Sequence, residues 1–335
     1  MVIIMENITV SIMGNMKSTD REKRAASWDV AHFNWEKSMK TIYNYLEEYS
    51  ESDFYGMHMP GHKRNQKMME NDLPYEIDIT EIDEFDDLHH ADGIIREAQE
   101  RAARLYCADE THFLVNGSTV GILSAIMGVT DKQDQILVAR NCHKSVYHAI
   151  YLNELKPVYV YPEYDEKTGL NGEVRVDDIT LLLDKNPNIK AVMIVSPTYD
   201  GVVSDVKKIA EVAHVHKIPL IVDEAHGAHF GFHPYFPKNA NENGADIVIH
   251  SVHKTLPSLT QTALLHINET SVNREKVRMY LHMLQSSSPS YVLMASIDEC
   301  MELIEKKGED IFSPYVDNLQ KMREELGKLS YLRLV

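Results

Sequence analysis

Short apolar runs of strand-like length alternate with helical patterns through the middle of the chain, from about residue 94 onward. Before the first run, five apolar residues recur at helical spacing and define one face of a predicted helix: Ile94, Ile95, Ala98, Ala102 and Leu105. The short runs that follow predict strands. They are HFLV (112–115), QILVA (135–139), PVYVY (157–161), AVMIVS (191–196), PLIVD (219–223) and DIVIHS (246–251).

The segment between the fourth and fifth runs, residues 204–217, predicts an amphipathic helix. Ser204 is its expected N-cap, and the apolar residues after it share one face. A strand, a helix and a second strand form the parallel crossover unit, and repeating that unit builds a sheet covered by helices on both sides. The pattern therefore predicts an α/β fold with a mostly parallel sheet.

The pattern divides the chain into an N-terminal segment (1–52), a large domain (53–300) and the start of a small C-terminal domain (301–335). The first segment is polar and irregular until a predicted helix at 33–50. In the last, a helical pattern leads into YLRLV (331–335), which alternates as a half-buried strand does. We expect this domain to be truncated and the natural gene product to extend beyond Val335. The alternative is that YLRLV joins the edge of the main sheet.

Composition excludes several classes of protein. The chain has 335 residues, 44% of them hydrophobic, and a net charge of −17, which argues against binding nucleic acid. No apolar run is long enough to span a membrane, and the first residues lack the pattern expected of a signal peptide. The cysteines Cys107, Cys142 and Cys300 are far apart and form no CxxC pair, which argues against a disulfide framework or a zinc site and favours a reducing cytoplasm.

Candidate chemistry lies directly after the predicted strands, because ligands of open α/β sheets bind beyond the carboxyl ends of the strands. NGSTVG follows the first strand and precedes an apolar helix. Its glycine allows a tight turn, Ser118 and Thr119 offer hydroxyl groups, and the helix N-terminus offers free N–H groups to a phosphate. The alternative for the same residues is a plain turn and N-cap.

Three more polar residues fall at the same end of the sheet. His143 follows the second strand, and it is either functional or structural. Asp223 ends the fifth strand, where a carboxylate aimed out of the core needs a cation to stay ionised. His226 lies three residues further on, and the alternative for this DEAHGAH segment is a metal site or simple capping.

The last predicted strand leads into SVHK, which adds Ser251, His253 and Lys254 to this edge. A phosphate cradle, a carboxylate seeking a cation, a histidine able to stack and a lysine near the pocket fit pyridoxal 5′-phosphate together. In this hypothesis the phosphate lies on the helix N-terminus, Asp223 faces the pyridinium nitrogen, His143 covers the ring and Lys254 forms a Schiff base.

The order of these motifs resembles the Orn/Lys/Arg decarboxylases of the aspartate aminotransferase fold, fold type I, over roughly residues 50–300. The motifs are PGHK (60–63), FDDLHHADG (85–93), NGSTVG (116–121), RNCHKSVYHA (140–149), SPTYDGV (196–202), VDEAHGAHFGFH (222–233) and SVHKTLPSLTQTALLH (251–266). The chain departs from the pattern at Ala91, where a proline is common in the family. Members also continue into a smaller domain that closes over the active site.

The resemblance implies a role for each matching residue. Lys254 is the Schiff-base lysine with His253 beside it, Asp223 is the pyridinium partner, His143 stacks on the ring and His226 lies near the substrate. The phosphate is bound by residues of three segments: Ser118 and Thr119, Ser251, and Ser286 and Ser287. In such folds the last pair often reaches a neighbouring subunit's phosphate, so we expect a homodimer or a higher homo-oligomer.

The implied activity is decarboxylation of lysine, arginine or ornithine to the amine and carbon dioxide, with His253 or Lys254 returning a proton to Cα. The alternatives are another fold-type-I pyridoxal phosphate enzyme, an aminotransferase or a lyase, or a truncated paralogue without catalysis. The substrate stays open among the three basic amino acids. The acidic segment at 76–87 suits a distal cation, but a charge run is also typical of a solvated face.

Overall fold

The computed structural model describes residues 40–66, 72–268 and 272–331, and within them a seven-stranded sheet carries the architecture. Its strands are β1 (Glu110–Leu114), β2 (Gln135–Ala139), β3 (Lys156–Val160), β6 (Ile189–Val195), β7 (Leu220–Asp223), β8 (Ile247–His250) and β9 (Ala263–Ile267). A separate two-stranded hairpin is formed by β4 (Tyr164–Asp165) and β5 (Leu170–Asn171). The seven-stranded sheet has the order β1-β9-β8-β7-β6-β2-β3.

One strand of this sheet runs against the others. β9 is antiparallel to both of its neighbours, β1 and β8, while the remaining pairs are parallel. The carboxyl ends of β1, β2, β6, β7 and β8 therefore meet at one edge of the sheet. The predicted mostly parallel α/β fold is confirmed, and all six predicted strands are present with small shifts at their ends.

The helices of the described residues are α1 (Ile42–Ser50), α2 (Ile94–Leu105), α3 (Gly117–Val129), α4 (Lys144–Leu152), α5 (Val176–Lys185), α6 (Val206–Val215), α7 (Val252–Thr255), α8 (Arg274–Leu284) and α9 (Tyr291–Gly327). Helices α3 to α6 and α8 pack with the sheet into one hydrophobic cluster. Helices α1, α2 and α9 form a second cluster. Adjacent residues of β9 divide between the two, Leu264 to the second and Leu265 to the first, because successive side chains of a strand point to opposite faces.

The predicted N-cap of α6 is wrong by one residue. Asp205 caps the helix, with its carboxylate accepting a hydrogen bond from the backbone N–H of Lys208 at 3.2 Å. The hydroxyl of Ser204 is instead buried and accepts from the backbone N–H of Val174 at 3.0 Å. Sequence spacing alone did not separate the two adjacent capping residues, because both types serve as N-caps.

The ends of the chain bear on the predicted domain division only in part. Of the helix predicted at 33–50, the structure describes Ile42–Ser50, which begins with a capping box of Thr41 and Asn44. The helix predicted before YLRLV extends back to Tyr291, so residue 301 falls inside α9. Tyr331 lies in a turn, and the rest of YLRLV lies outside the described residues. The division into three parts and the truncated domain stay predictions.

A buried ion pair ties α2 to α9. Arg101 Nη1 lies 2.6 Å from Asp298 Oδ1, and the two side chains are 2% and 1% exposed. The other oxygen of Asp298 accepts a hydrogen bond from the backbone N–H of Ile42 at 2.9 Å, which adds α1 to the junction. Burial raises the pKa of Asp298 to about 6 although Arg101 and this N–H oppose it. Desolvation is thus the larger effect here, and each partner depends on the other.

We expect Arg101→Ala to lower the free energy of unfolding by about 3–5 kcal/mol, because it leaves the carboxyl of Asp298 buried without its cation. Denaturant unfolding followed by circular dichroism measures the change. Arg96→Ala is the matched control: Arg96 lies on the same helix and pairs with Glu100 at 3.7 Å on the surface. Its loss should cost less than about 0.5 kcal/mol. Equal effects of the two substitutions would contradict the role given to burial.

Candidate active site

The segments that follow β1, β2, β6, β7 and β8 meet at the edge formed by the carboxyl ends of these strands. The antiparallel β9 starts at the same edge, so the connection from β8 to β9 stays there. The sequence-predicted residues other than Ser286 and Ser287 lie in these segments. The sheet therefore brings together residues that are more than a hundred positions apart in sequence.

The first turn of α3 and the end of β8 are joined by two hydroxyl groups. Ser251 is fully buried, and its Oγ donates a hydrogen bond to Ser118 Oγ at 2.9 Å. Gly117 has φ +75°, a conformation that favours glycine, and it turns the chain into the helix. Thr119 is exposed on the same first turn. A helix N-terminus with two hydroxyls beside it is a suitable site for a phosphate.

Ser286 lies near this turn in the same chain. Asn116, the N-cap of α3, accepts a hydrogen bond through Oδ1 from the backbone N–H of Ser286 at 3.1 Å. The hydroxyl of Ser286 donates to the backbone oxygen of Ser288 at 3.1 Å. Ser286 and Ser287 are both exposed at the end of α8. Their expected contact with a neighbouring subunit stays a prediction.

Asp223 is the last residue of β7 and is 3% exposed. Its Oδ1 accepts a hydrogen bond from the backbone N–H of Ala225 at 3.1 Å. Burial raises the pKa of this carboxyl, while the N–H of Ala225 and the charge of Lys254 oppose the rise. A cation placed against Asp223 would therefore gain from a carboxylate that water does not solvate.

Lys254 lies on the short helix α7, near enough to Asp223 for the two charges to act on each other. Its Nζ is 3.2 Å from His226 Nε2. Lys254 is exposed, but partial desolvation of its amine lowers its pKa, and the charge of Asp223 opposes the change. Burial and the nearby Lys254 lower the pKa of His226 to about 4, so this imidazole is neutral at physiological pH and can accept a hydrogen bond from the amine. A lysine with a lowered pKa is a better nucleophile because more of it is unprotonated.

His143 combines the structural and the functional alternatives. It is the N-cap of α4, with Nδ1 accepting from the backbone N–H of Ser145 at 3.3 Å and lying 2.8 Å from the hydroxyl of the same residue. Burial lowers its pKa, and the charge of Lys254 acts in the same direction. The cap fixes the orientation of an imidazole that is influenced by Lys254 and that in turn helps to lower the pKa of His226.

His253 is held by the backbone of its own connection. Its Nδ1 lies 2.7 Å from the carbonyl oxygen of Thr262, the acceptor of an N–H from this ring. On the other side of the pocket, the ring of Tyr199 meets His226 edge-on, with centroids 5.5 Å apart. The metal alternative for DEAHGAH gains no support, because the described residues contain no group of three or more ligand side chains arranged for a metal ion.

Sequence reasoning missed the polar residues behind this pocket. Glu224 directly follows Asp223 and hydrogen-bonds through Oε2 to His250 Nε2 at 2.7 Å. The signal was present as a second acid after the strand and as a histidine ending an otherwise apolar run. Neither position has a pattern that distinguishes a buried partner from a surface residue. Strand β9, which carries His266 beside His250, was also missed.

Comparisons with known proteins identify the family of the chain. The family model for the major domain of Orn/Lys/Arg decarboxylases matches residues 40–335. The chain is 44% identical over 263 residues to the uncharacterized protein YaaO of Bacillus subtilis. The match covers 77% of this chain and 55% of that protein. It is 35% identical over 297 residues to an arginine decarboxylase of Bacillus cereus, covering 87% of this chain and 65% of that one.

Solved structures show the same fold. The constitutive lysine decarboxylase of E. coli superimposes with a TM-score of 0.75 at 22% identity, over 85% of this chain and 43% of that one. Lysine decarboxylase A of Pseudomonas aeruginosa gives 0.75 at 23% identity, over 89% and 45%. The chain thus spans less than two thirds of the length of these relatives. None of the helices in the described part of the chain is long and apolar enough to cross a membrane.

Proposed function

This chain belongs to the Orn/Lys/Arg decarboxylase family, and we propose that it provides the cofactor-binding domain of an enzyme that decarboxylates a basic amino acid with pyridoxal 5′-phosphate. The reaction yields the corresponding amine and carbon dioxide. The observation that carries the proposal is Lys254, a lysine with a lowered pKa whose amine faces His226 and is attracted by the buried Asp223.

The residues present fit this cofactor on three separate counts. The Ser118–Ser251 hydroxyl pair at the N-terminus of α3 suits a phosphate. The buried carboxyl of Asp223 suits a cationic ring nitrogen, which would offset the desolvation that raises its pKa. The amine of Lys254 suits an aldehyde, with which it forms a Schiff base. Ser118, Thr119 and Ser251 would hold the phosphate, and Ser286 and Ser287 at the end of α8 would complete the phosphate site of a neighbouring subunit.

When bound, the cofactor would supply the electron sink that decarboxylation requires. Asp223 would keep a proton on the ring nitrogen, which it can do because its charge is buried and directed at one atom. His143 would pack against the ring, held by its cap of α4. His226 would stay neutral and orient the amine of Lys254 through its Nε2.

Return of a proton to Cα is the step for which His253 and Lys254 are the candidates. Nδ1 of His253 is engaged with the carbonyl oxygen of Thr262, so only its Nε2 is left for proton transfer. Lys254 has an amine already at the pocket and a lowered pKa. We therefore favour Lys254 as the proton donor and His253 as the residue that fixes the connection beside it.

Arginine is the first substrate to test, because a relative named arginine decarboxylase is 35% identical to this chain and one named lysine decarboxylase LdcA is 25% identical. The experiment incubates the full-length protein and pyridoxal phosphate with arginine, lysine and ornithine separately, and measures the amine and carbon dioxide. Release of both products from one basic amino acid is the expected result. A keto acid product would instead indicate an aminotransferase, and no product from any of the three would contradict the proposal.

We also propose a homodimer or higher homo-oligomer. The exposed hydroxyls of Ser286 and Ser287 end α8 beside the phosphate turn, in a position from which a second copy could be reached. Multi-angle light scattering of the full-length, cofactor-loaded protein should give at least twice the mass of one chain. A monomer with cofactor fully bound would refute this assembly.

We propose a cytoplasmic location on the basis of the cysteines. Cys107, Cys142 and Cys300 are free thiols in the structure, two of them buried. Free thiols persist in a reducing compartment.

A further inference from the structure

A chain of hydrogen bonds lies behind Asp223, on residues for which the proposed reaction has no role. Glu224 Oε2 is 2.7 Å from His250 Nε2, and His250 Nδ1 is 2.9 Å from His266 Nε2. The chain ends where His266 Nδ1 lies 2.7 Å from Thr111 Oγ1. It crosses the sheet from the end of β7 through β8 and β9 to β1.

Water has no access to this chain. Glu224 is 2% exposed, and both histidines are completely buried. The ring of Tyr106, the C-cap of α2, packs against the two imidazoles with centroid distances of 4.5 and 4.7 Å. Burial raises the pKa of Glu224 and lowers the pKa of His250 and of His266. Burial therefore disfavours the charged form of both Glu224 and His250.

Hydrogen-bond geometry allows two arrangements of protons in the chain, since a neutral imidazole has one donor and one acceptor nitrogen. If Glu224 is protonated, it donates to His250 Nε2, and each histidine donates onward from Nδ1, ending at Thr111 Oγ1. If Glu224 is ionised, every donor reverses, and both histidines carry their proton on Nε2. The two arrangements differ by one proton and by the tautomer of both histidines.

Two adjacent buried carboxyl groups lie at the end of β7, and ionisation of one disfavours ionisation of the other. Asp223 and Glu224 are neighbours in sequence, and the charge of Asp223 raises the pKa of Glu224. Lys254 acts on Asp223. The hydrogen-bond partners that the described residues offer to the carboxyl group of Glu224 are His250 and the backbone N–H of Ala240, at 3.0 Å.

The titratable groups around the chain favour the same distribution. Glu242 adds a further negative charge near Glu224, which disfavours its ionisation. His229, buried beside His250, has a pKa lowered by burial to about 4. His112 lies close enough to His266 to lower its pKa further. None of these groups supplies a cation that would stabilise an ionised Glu224.

We propose that Glu224 is protonated and donates the first hydrogen bond of the Glu224–His250–His266 chain. Because Glu224 is then neutral, Asp223 carries the negative charge at the end of β7. Glu224 is thus a positioning residue that acts through Asp223, with no contact to substrate or cofactor. The part of the inference that concerns the charge of Asp223 toward a ring nitrogen rests on the proposed function. The proton on Glu224 does not depend on it.

Infrared spectroscopy of the cofactor-free, full-length protein at neutral pH tests the proton directly. We expect a carbonyl band of a protonated carboxyl group that shifts when the protein contains glutamate labelled with ¹³C in the side-chain carboxyl. The band should be missing in Glu224→Gln and retained in Glu242→Gln, which removes a neighbouring carboxyl outside the chain. Absence of a label-sensitive band in the wild type would overturn the proposal even if the variants do not fold.

The tautomers give an independent measurement on the wild type. With ¹⁵N-labelled histidine, nuclear magnetic resonance should show two buried neutral imidazoles protonated on Nδ1, identified by the loss of one signal in His266→Gln. Protonation of both on Nε2 would show that Glu224 is ionised and would refute the assignment.

The link to Asp223 is read from the absorption of bound pyridoxal phosphate as a function of pH. Glutamine mimics a protonated Glu224. In Glu224→Gln, the midpoint pH of the change in cofactor absorption should therefore be the same as in the wild type. If Glu224 were ionised, the substitution would remove a negative charge beside Asp223 and lower the midpoint by about one pH unit or more. Failure of the wild type to bind the cofactor would refute the proposed function. The infrared and tautomer measurements would still test the protonation of Glu224 independently.

Discussion

Replacing Lys254 by alanine is expected to abolish covalent attachment of pyridoxal phosphate and to lower turnover on the order of a thousandfold or more. The amine of Lys254 is the lysine nitrogen that faces His226 and is attracted by Asp223 within this pocket. Alanine removes both the nucleophile and the proposed proton donor. Reduction with borohydride followed by peptide mapping measures attachment, and amine release from the basic amino acids measures turnover.

Lys190→Ala is the control for this substitution. Lys190 lies on β6, inside the sheet-forming part of the sequence, but its side chain is exposed. The variant should retain both the label and the activity. A borohydride label on a lysine other than Lys254 in the wild type would show that the cofactor is bound elsewhere.

Asp223→Asn is expected to retain cofactor binding and to lose most turnover, about a hundredfold or more. Asparagine has the same shape but carries no charge, so it cannot keep the ring nitrogen protonated from a buried position. The phosphate contacts at the N-terminus of α3 are unchanged, which is why binding should survive. A titration with cofactor measures binding, and single-turnover measurements at saturating substrate measure the loss of turnover.

The matched substitution is Asp184→Asn, which removes a carboxylate that is 64% exposed near the end of α5. It should have no measurable effect on either quantity. If Asp223→Asn decarboxylates at a rate close to that of the wild type, Asp223 is not the partner of the ring nitrogen. A variant that fails to bind the cofactor would assign Asp223 a role in binding rather than in turnover.

The sequence by itself determined the fold class and the edge of the sheet at which the site lies. Runs such as AVMIVS and PLIVD are apolar without alternation, which is typical of parallel strands that are buried on both faces. Once the strands are parallel, the residues after them must meet at one edge. The meeting of Ser118 with Ser251 follows from that rule, although the 2.9 Å bond between them could not be read from the spacing.

Only the tertiary structure decided how the charges in the site are balanced. A pKa depends on burial and on neighbours from distant segments, so nothing in DEAH distinguishes the carboxyl of Asp223, attracted by Lys254, from that of Glu224, bonded to His250. β9 was missed for the same reason. Its antiparallel pairing with β8 places His266 beside His250 and so extends the buried chain of hydrogen bonds. Local pattern fixes which face of a strand is apolar, whereas the partner of a buried polar group is set by the pairing of strands.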